Sequence, residues 1–342
     1  MTINGRYGRA SREGLNGDLL EGRMLRNLAD DYTRDGYVVL PGLLDPEEIN
    51  LFGNLVNQEI DRGTLGPRVG RKGRGEGYYT SDASKNPNLQ QIGKVLLAKS
   101  KLHQVLSKIF GCKGQPDETS ECYRRLPRND LMVDCASAPK WHQDMLHKSM
   151  SEYIAVPHFA TDDAGESLYH IINVGFYFED HSTDGAGLWV VPGSHRQRDV
   201  DETKLDDQKI IIYSKVGDVI VWDWRTYHKG GYECVDSSTS TAEKHKHRSL
   251  FAASLGLNNV LSEVMARGLE IKYQTETLNL DHMSQSGCNG TLEKKSWREC
   301  LVRHVKDELK LRPLSQEQQQ VVDFARSENS GTKVVNKKSV NE

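Results

Sequence analysis

Apolar residues change their spacing partway along this chain. Up to about residue 110 they recur three and four apart, and from about residue 120 they gather in short runs rich in β-branched and aromatic residues. The first spacing predicts helices. Leu25, Leu28, Ala29 and Tyr32 share one helical face, and Gly36 is placed to end that helix. Tyr37 to Leu40 reads as a short strand. Asp45-Pro46-Glu47-Glu48 then supplies a capping Asp, a Pro in the first turn and a Glu at the third position, so a helix runs from there to about Arg62. A further helix is predicted over 88–110, with Leu89, Ile92, Leu96, Leu97, Leu102, Val105 and Ile109 as its apolar stripe. The second spacing predicts strands at 120–126, 130–135, 168–179, 187–191, 210–213, 217–222 and 248–255. Short strands punctuated by Gly, Asp, Pro and Ser predict a sandwich or barrel. Far downstream, Ser296-Trp297-Arg298-Glu299 is a capping box opening a helix that turns Trp297, Leu301, Val302, Val305 and Leu309 to a core.

Composition narrows the class. The chain has 342 residues, 37% of them hydrophobic and 27% charged, which fits a globular protein on the polar side. A net charge of −3 argues against nucleic-acid and anionic-membrane partners. No apolar run approaches the roughly 20 residues that span a bilayer. Residues 1–22 lack the apolar centre of a signal peptide, and Ser339-Val340-Asn341-Glu342 is not a peroxisomal address, so a cytoplasmic location is expected. Six cysteines without C-x-x-C spacing are expected to be reduced, mainly buried thiols. Residues 1–20 and 327–342 read as disordered, 233–247 as a polar loop, and 21–315 as one domain.

The chemistry centres on His142-Gln143-Asp144. On an extended strand, residues two apart share a face, so this imidazole and this carboxylate converge. An isolated pair of this kind is weak, and is usually a surface His and Asp beside a turn. Downstream, Gly217-Asp218 feeds an apolar strand, Val219 to Trp222, and His228 follows it. Arg248 then opens the next strand. Two imidazoles and one carboxylate form a facial triad that holds non-haem Fe(II) and leaves positions open.

This order resembles the Fe(II)/2-oxoglutarate dioxygenases and, among them, the phytanoyl-CoA dioxygenase family. The resemblance rests on Arg34-Asp35-Gly36-Tyr37-Val38-Val39-Leu40-Pro41-Gly42-Leu43-Leu44, Trp141-His142-Gln143-Asp144, Gly187-Leu188-Trp189-Val190-Val191-Pro192-Gly193-Ser194-His195-Arg196, Gly217-Asp218 to His228, and Arg248. It covers roughly 25–258. It implies a mainly β fold with flanking helices around a double-stranded β-helix, the cupin-like jelly roll. It implies Fe(II), 2-oxoglutarate and O2 as cofactor and co-substrates. His142, Asp144 and His228 become the metal ligands and catalytic centre. Arg248 anchors the distal carboxylate of 2-oxoglutarate through its planar fork. Trp189 and Tyr123 stand near positions that line the co-substrate pocket in similar proteins.

The substrate is less legible. Residues 63–77 form a basic, Gly-rich stretch that is neither a P-loop nor a dinucleotide fingerprint. It reads as a solvated loop, or as a lid whose Arg71 or Arg74 meets an anionic substrate. Gln143, Trp141, Arg125 and Tyr177 are further substrate candidates. The expected activity is oxidation of an unactivated C–H bond (hydroxylation, desaturation or cyclisation) in a small carboxylated metabolite, with natural-product biosynthesis one setting. The alternatives are a catalytically silent jelly-roll binding protein and a protein hydroxylase.

Overall fold

The computed structural model describes residues 27–65, 78–80, 86–112, 122–135, 141–144, 154, 156, 158–159, 161, 167–183, 187–230, 248–271 and 305–329. Helix α1 (27–35) ends where Gly36 donates its N–H to the Tyr32 carbonyl at 2.7 Å. Strand β1 (Tyr37–Leu40) follows, then α2 (Pro46–Asp61). The predicted capping box is present: Asp45 accepts from the Glu48 N–H at 2.9 Å, and Glu48 accepts from the Asp45 N–H at 3.0 Å. The helix predicted over 88–110 is two helices, α3 (Pro87–Leu97) and α4 (Ser100–Ile109). Lys99 breaks them with an extended backbone (ψ 115°), and its ammonium pairs with Glu48 of α2. Nothing at Ala98-Lys99-Ser100 forbids helix locally, so this break is a tertiary effect.

Nine strands occur among the described residues: β1, β2 (Tyr78–Thr80), β3 (Tyr123–Cys135), β4 (Ile171–Tyr177), β5 (Leu188–Val190), β6 (Ile210–Ile212), β7 (Val219–Asp223), β8 (His228–Gly230) and β9 (Arg248–Leu257). They form a six-stranded sheet, β1-β7-β4-β9-β3-β2, and a three-stranded sheet, β6-β5-β8, with every pairing antiparallel. The two strands predicted at 120–126 and 130–135 are one. A register shift between Arg125 and Asn129 accommodates Pro127, which has no N–H for the ladder.

Alternation sorts the large sheet into two faces. Val38, Leu40, Leu131, Ile172, Val174, Phe176, Val219, Val221, Phe251, Ala253 and Leu255 pack beneath α1 to α4 in the main core. The alternate residues Tyr177, Ile220, Trp222, Leu250 and Ala252 meet Leu188, Val190 and Ile212 of the small sheet in a second core. A third core joins Leu126, Tyr169, Ile171 and Trp224 to α6 (260–271), α7 (305–311) and α8 (Gln316–Asn329). α5 (Leu205–Gln208) is a single turn before β6.

Three expectations are corrected. Cys112 and Cys122 are disulfide-bonded, with Cα atoms 5.8 Å apart. The chain leaves α4 and re-enters as β3 beside it, which brings the two thiols within bonding reach. α6 was not foreseen. α8 extends to Asn329, into the stretch read as a disordered tail; among its described side chains, Val322 and Ala325 are the buried ones. Residues 1–20, most of 63–77, the 233–247 loop and the 296–299 capping box lie outside the described residues.

Candidate metal centre

The site is built on a main-chain ladder. His142 and His228 exchange backbone hydrogen bonds at 3.0 and 2.9 Å, which places 142–144 beside β8 as an added rung of the small sheet. The Asp144 N–H donates to the Trp224 carbonyl at 2.8 Å. Paired residues on an antiparallel ladder project side by side, and the His142 and His228 rings are 4.3 Å apart. Asp144, two residues on, returns to the same face. One ligand atom from each of His142, Asp144 and His228 lies within 4.8 Å of the other two. Asp144 and His228 are buried and His142 is exposed, so the cluster opens to solvent on one side.

Each ligand is held. His228 Nδ1 lies 2.9 Å from the Thr226 carbonyl, an acceptor, so Nδ1 carries the proton. The Nε2 lone pair then faces the cluster, 3.3 Å from Asp144 Oδ2. Thr226 in turn donates its hydroxyl to the Gly36 carbonyl at 3.0 Å. Ser194 of the Pro-Gly-Ser-His turn accepts from the Tyr227 N–H at 2.9 Å. Asp223 and Arg225, both buried, form a two-bond ion pair at 2.9 and 2.7 Å just before these residues.

Asp144 meets a different set of partners. Arg128 Nη2 donates to Oδ1 at 3.0 Å, and Asn173 Nδ2 donates to Oδ2 at 2.8 Å. Burial pushes the Asp144 carboxyl up, but the Arg128 guanidinium and the His228 and His142 imidazoles outweigh it and hold it well below the usual carboxylate range. The carboxylate is thus ionised, and His228 Nε2 stands 3.3 Å from its Oδ2. Such a donor set suits a mid-series divalent cation such as Fe(II) rather than a thiolate-seeking metal.

The other candidates are distributed by strand parity. Tyr177 lies between the sheets. Trp222 does too, edge-on to His228 at 6.0 Å, and its buried Nε1 has no hydrogen-bond partner among the described residues. Trp222 Cη2 would stand 3.1 Å from a Cβ at Gly175, so a glycine there makes room for it. The structure does not bring Trp189 or Tyr123 to the cluster. Trp189 alternates with Leu188 and Val190 and takes the small sheet's outer face, between the Lys209 and Lys229 ammoniums at 4.4 and 4.8 Å. Tyr123 packs under α4 against His103 and Phe110. Trp141 and Gln143 point opposite to His142 and Asp144. Trp141 stacks on Lys229 at 4.7 Å, and the Gln143 amide donates to the Arg225 carbonyl. Arg125 lies on the helix side against Gly93. Position 248 shares strand parity with Leu250, Ala252 and Ser254, the face turned to the small sheet. Arg71 and Arg74 lie outside the described residues. Sequence reasoning missed Asn173, Ser254, Arg128 and Thr226. The available signal was a lone polar residue, Asn173, within the otherwise apolar or glycine run Ile171–Tyr177.

Two imidazoles and one carboxylate converge at the edge of two antiparallel sheets, a set that could hold a metal ion. The phytanoyl-CoA dioxygenase (PhyH) family pattern matches residues 32–233, more than half of the chain, and the chain belongs to that family. Family and site together indicate Fe/2-oxoglutarate-dependent oxygenase-type activity. No curated protein matches the chain. Among solved structures, it is similar to the non-heme alpha ketoglutarate dependent epimerase SnoN from nogalamycin biosynthesis. There the identity is 19% and the TM-score 0.48, over 68% of this chain and 83% of that one. It is also similar to AviO1 from Streptomyces viridochromogenes Tue57, at 17% identity and TM-score 0.46 over 68% and 94%. The carbocyclase SnoK gives 15% identity and TM-score 0.46 over 68% and 83%. No helix of the described residues is long and apolar enough to cross a membrane.

Proposed function

We propose that this protein is an Fe(II)/2-oxoglutarate-dependent oxygenase on a jelly-roll core, oxidising an unactivated C–H bond of a small carboxylated metabolite. The observation that carries the reading is the convergence of His142, Asp144 and His228 within 4.8 Å, with an ionised carboxylate and an imidazole whose lone pair faces inward. Bound iron, with 2-oxoglutarate and O2, supplies the oxidising power for such a bond. The chain's own residues hold and orient. His142, Asp144 and His228 present three ligand atoms on one side and leave the exposed side for small molecules. Arg248 receives the distal carboxylate of 2-oxoglutarate as a bidentate anchor, a role favoured by its place on the inner-face parity of β9. Tyr177 and Trp222 wall the space between the sheets. The carboxylated substrate class rests on the basic stretch that carries Arg71 and Arg74.

The test is an anaerobic titration of Fe(II) into the apo-protein with 2-oxoglutarate, read by the visible metal-to-ligand charge-transfer band. A band in the wild type that is lost in Asp144→Ala and weakened in Arg248→Ala is the expected result. Absence of any band in folded wild-type protein sinks the oxygenase reading.

A further inference from the structure

We infer that Asn173 is a positioning residue for the metal-ligating carboxylate of Asp144, wired in one orientation by Trp224 and Ser254. The inference rests on the metal-site reading above and deepens it. Asn173 Oδ1 accepts from Trp224 Nε1 at 2.9 Å and from Ser254 Oγ at 2.6 Å. Its Nδ2 donates to Asp144 Oδ2 at 2.8 Å. All three supporting side chains are essentially buried: Asn173 is 1% exposed, Ser254 1% and Trp224 0%.

The two ends of an amide differ chemically, and this surrounding distinguishes them. An indole N–H only donates. A flipped Asn173 would therefore set its NH2 against the Trp224 N–H and its oxygen against a carboxylate oxygen. Both contacts repel, and the burial of Asn173, Ser254 and Trp224 keeps that repulsion poorly screened. The donor is thus locked towards Asp144. Trp224 holds the ligand twice, since its carbonyl also accepts the Asp144 N–H at 2.8 Å. Arg128 holds the other oxygen, Oδ1, and lies over the Trp224 ring at 4.9 Å. Arg128 and Asn173 thus donate to different oxygens of the carboxylate. Oδ2, the oxygen beside His228 Nε2, keeps a second lone pair to present to a cation. Partners that orient a metal ligand typically matter about 10- to 100-fold to affinity.

A purely structural core polar network predicts something else: lost stability with no change in metal binding. Mn(II) titrated anaerobically into the full-length protein, with free Mn(II) read by its electron paramagnetic resonance signal, separates the two. Thermal unfolding of the same samples reports stability. Asn173→Ala is expected to weaken Mn(II) binding by about 10- to 100-fold. Gly42→Ala, outside this network, with φ +57° and nothing within 4 Å of its Cβ position, is the destabilising control: it is expected to lose stability while binding Mn(II) like the wild type. If Asn173→Ala does not fold, Asn173→Leu, which refills the volume, takes its place. Unchanged Mn(II) affinity in a folded Asn173 variant overturns the inference and leaves the metal site standing. Failure of the wild type to bind Mn(II), or binding untouched by Asp144→Ala, overturns the metal-site reading and this inference with it.

Discussion

Replacing Gly36 by Ala tests how the start of the chain supports the metal centre. Gly36 sits at φ +79°, and a Cβ there would lie 2.4 Å from both His195 Nδ1 and Thr226 Oγ1 and 2.8 Å from His195 Cγ. The backbone term for an L-residue in the left-handed region is roughly 1–2 kcal/mol. Overpacking a filled site adds about 1–3 kcal/mol. Gly36→Ala is therefore expected to cost about 2–5 kcal/mol in urea unfolding. Gly42→Ala is the matched control: its φ is +57°, and nothing lies within 4 Å of its Cβ position. It is expected to lose only the backbone share, about 1–2 kcal/mol. The clash also has a functional readout. Thr226, the residue displaced, gives its carbonyl to His228 Nδ1. Metal affinity is thus expected to fall in Gly36→Ala and to hold in Gly42→Ala. Equal unfolding free energies for the two variants would refute the argument.

Two further outcomes follow from groups outside the site. Burial, with the Arg225 guanidinium nearby, pushes the His158 imidazole down to about 4. The folded protein then binds fewer protons than the unfolded chain between about pH 6.5 and 4, so stability is complete above pH 6.5 and is lost as pH falls through that window, by about 3 kcal/mol. His158→Phe is expected to flatten this part of the stability profile, and parallel curves for the two proteins would exclude the assignment. The Cys112–Cys122 bond closes a loop of sequence separation 10 between α4 and β3. Its reduction is expected to cost about 3 kcal/mol on the chain-entropy model. Cys112→Ser should match reduced wild type, and a reductant-insensitive melting temperature would contradict the bond.

Local signals explain which elements were legible. The Asp45 capping box and the Gly36 stop are chemistry within four residues, and both are in place. The strands were legible because both faces of β4 and β7 are buried, giving runs such as Ile171–Tyr177 that no solvated loop would carry. The break at Lys99 was not legible, because no residue at 98–100 signals it; the Lys99 ammonium pairs with Glu48 of α2, some fifty residues away. The joined strand β3 was hidden by Pro127, which reads as a strand end unless a bulge is already known to sit there. α8 was hidden because a Gln-rich helix that buries two residues leaves little apolar period to detect.

The ligands and their supports differ in the same way. His142 and Asp144 announce themselves by i, i+2 spacing on one strand, and His228 by its place after an apolar strand. The supports come from residues brought together only by the folded sheets: Arg128 from β3, Asn173 from β4, Ser254 from β9 and Trp224 from the turn after β7. No linear pattern joins them. The resemblance suggested Trp189 and Tyr123 as pocket residues, but both lie on strand faces turned away from the cluster. The main-chain ladder between His142 and His228, the Asp144 N–H on the Trp224 carbonyl and the Thr226 carbonyl on His228 Nδ1 are all formed from the protein's own groups. The geometry of the three candidate ligand atoms, within 4.8 Å of one another, is therefore set by sheet formation. Ordering those donors is a cost of folding rather than of binding, which is why changes at Gly36 and Asn173, neither of them a ligand, are expected to register in metal affinity.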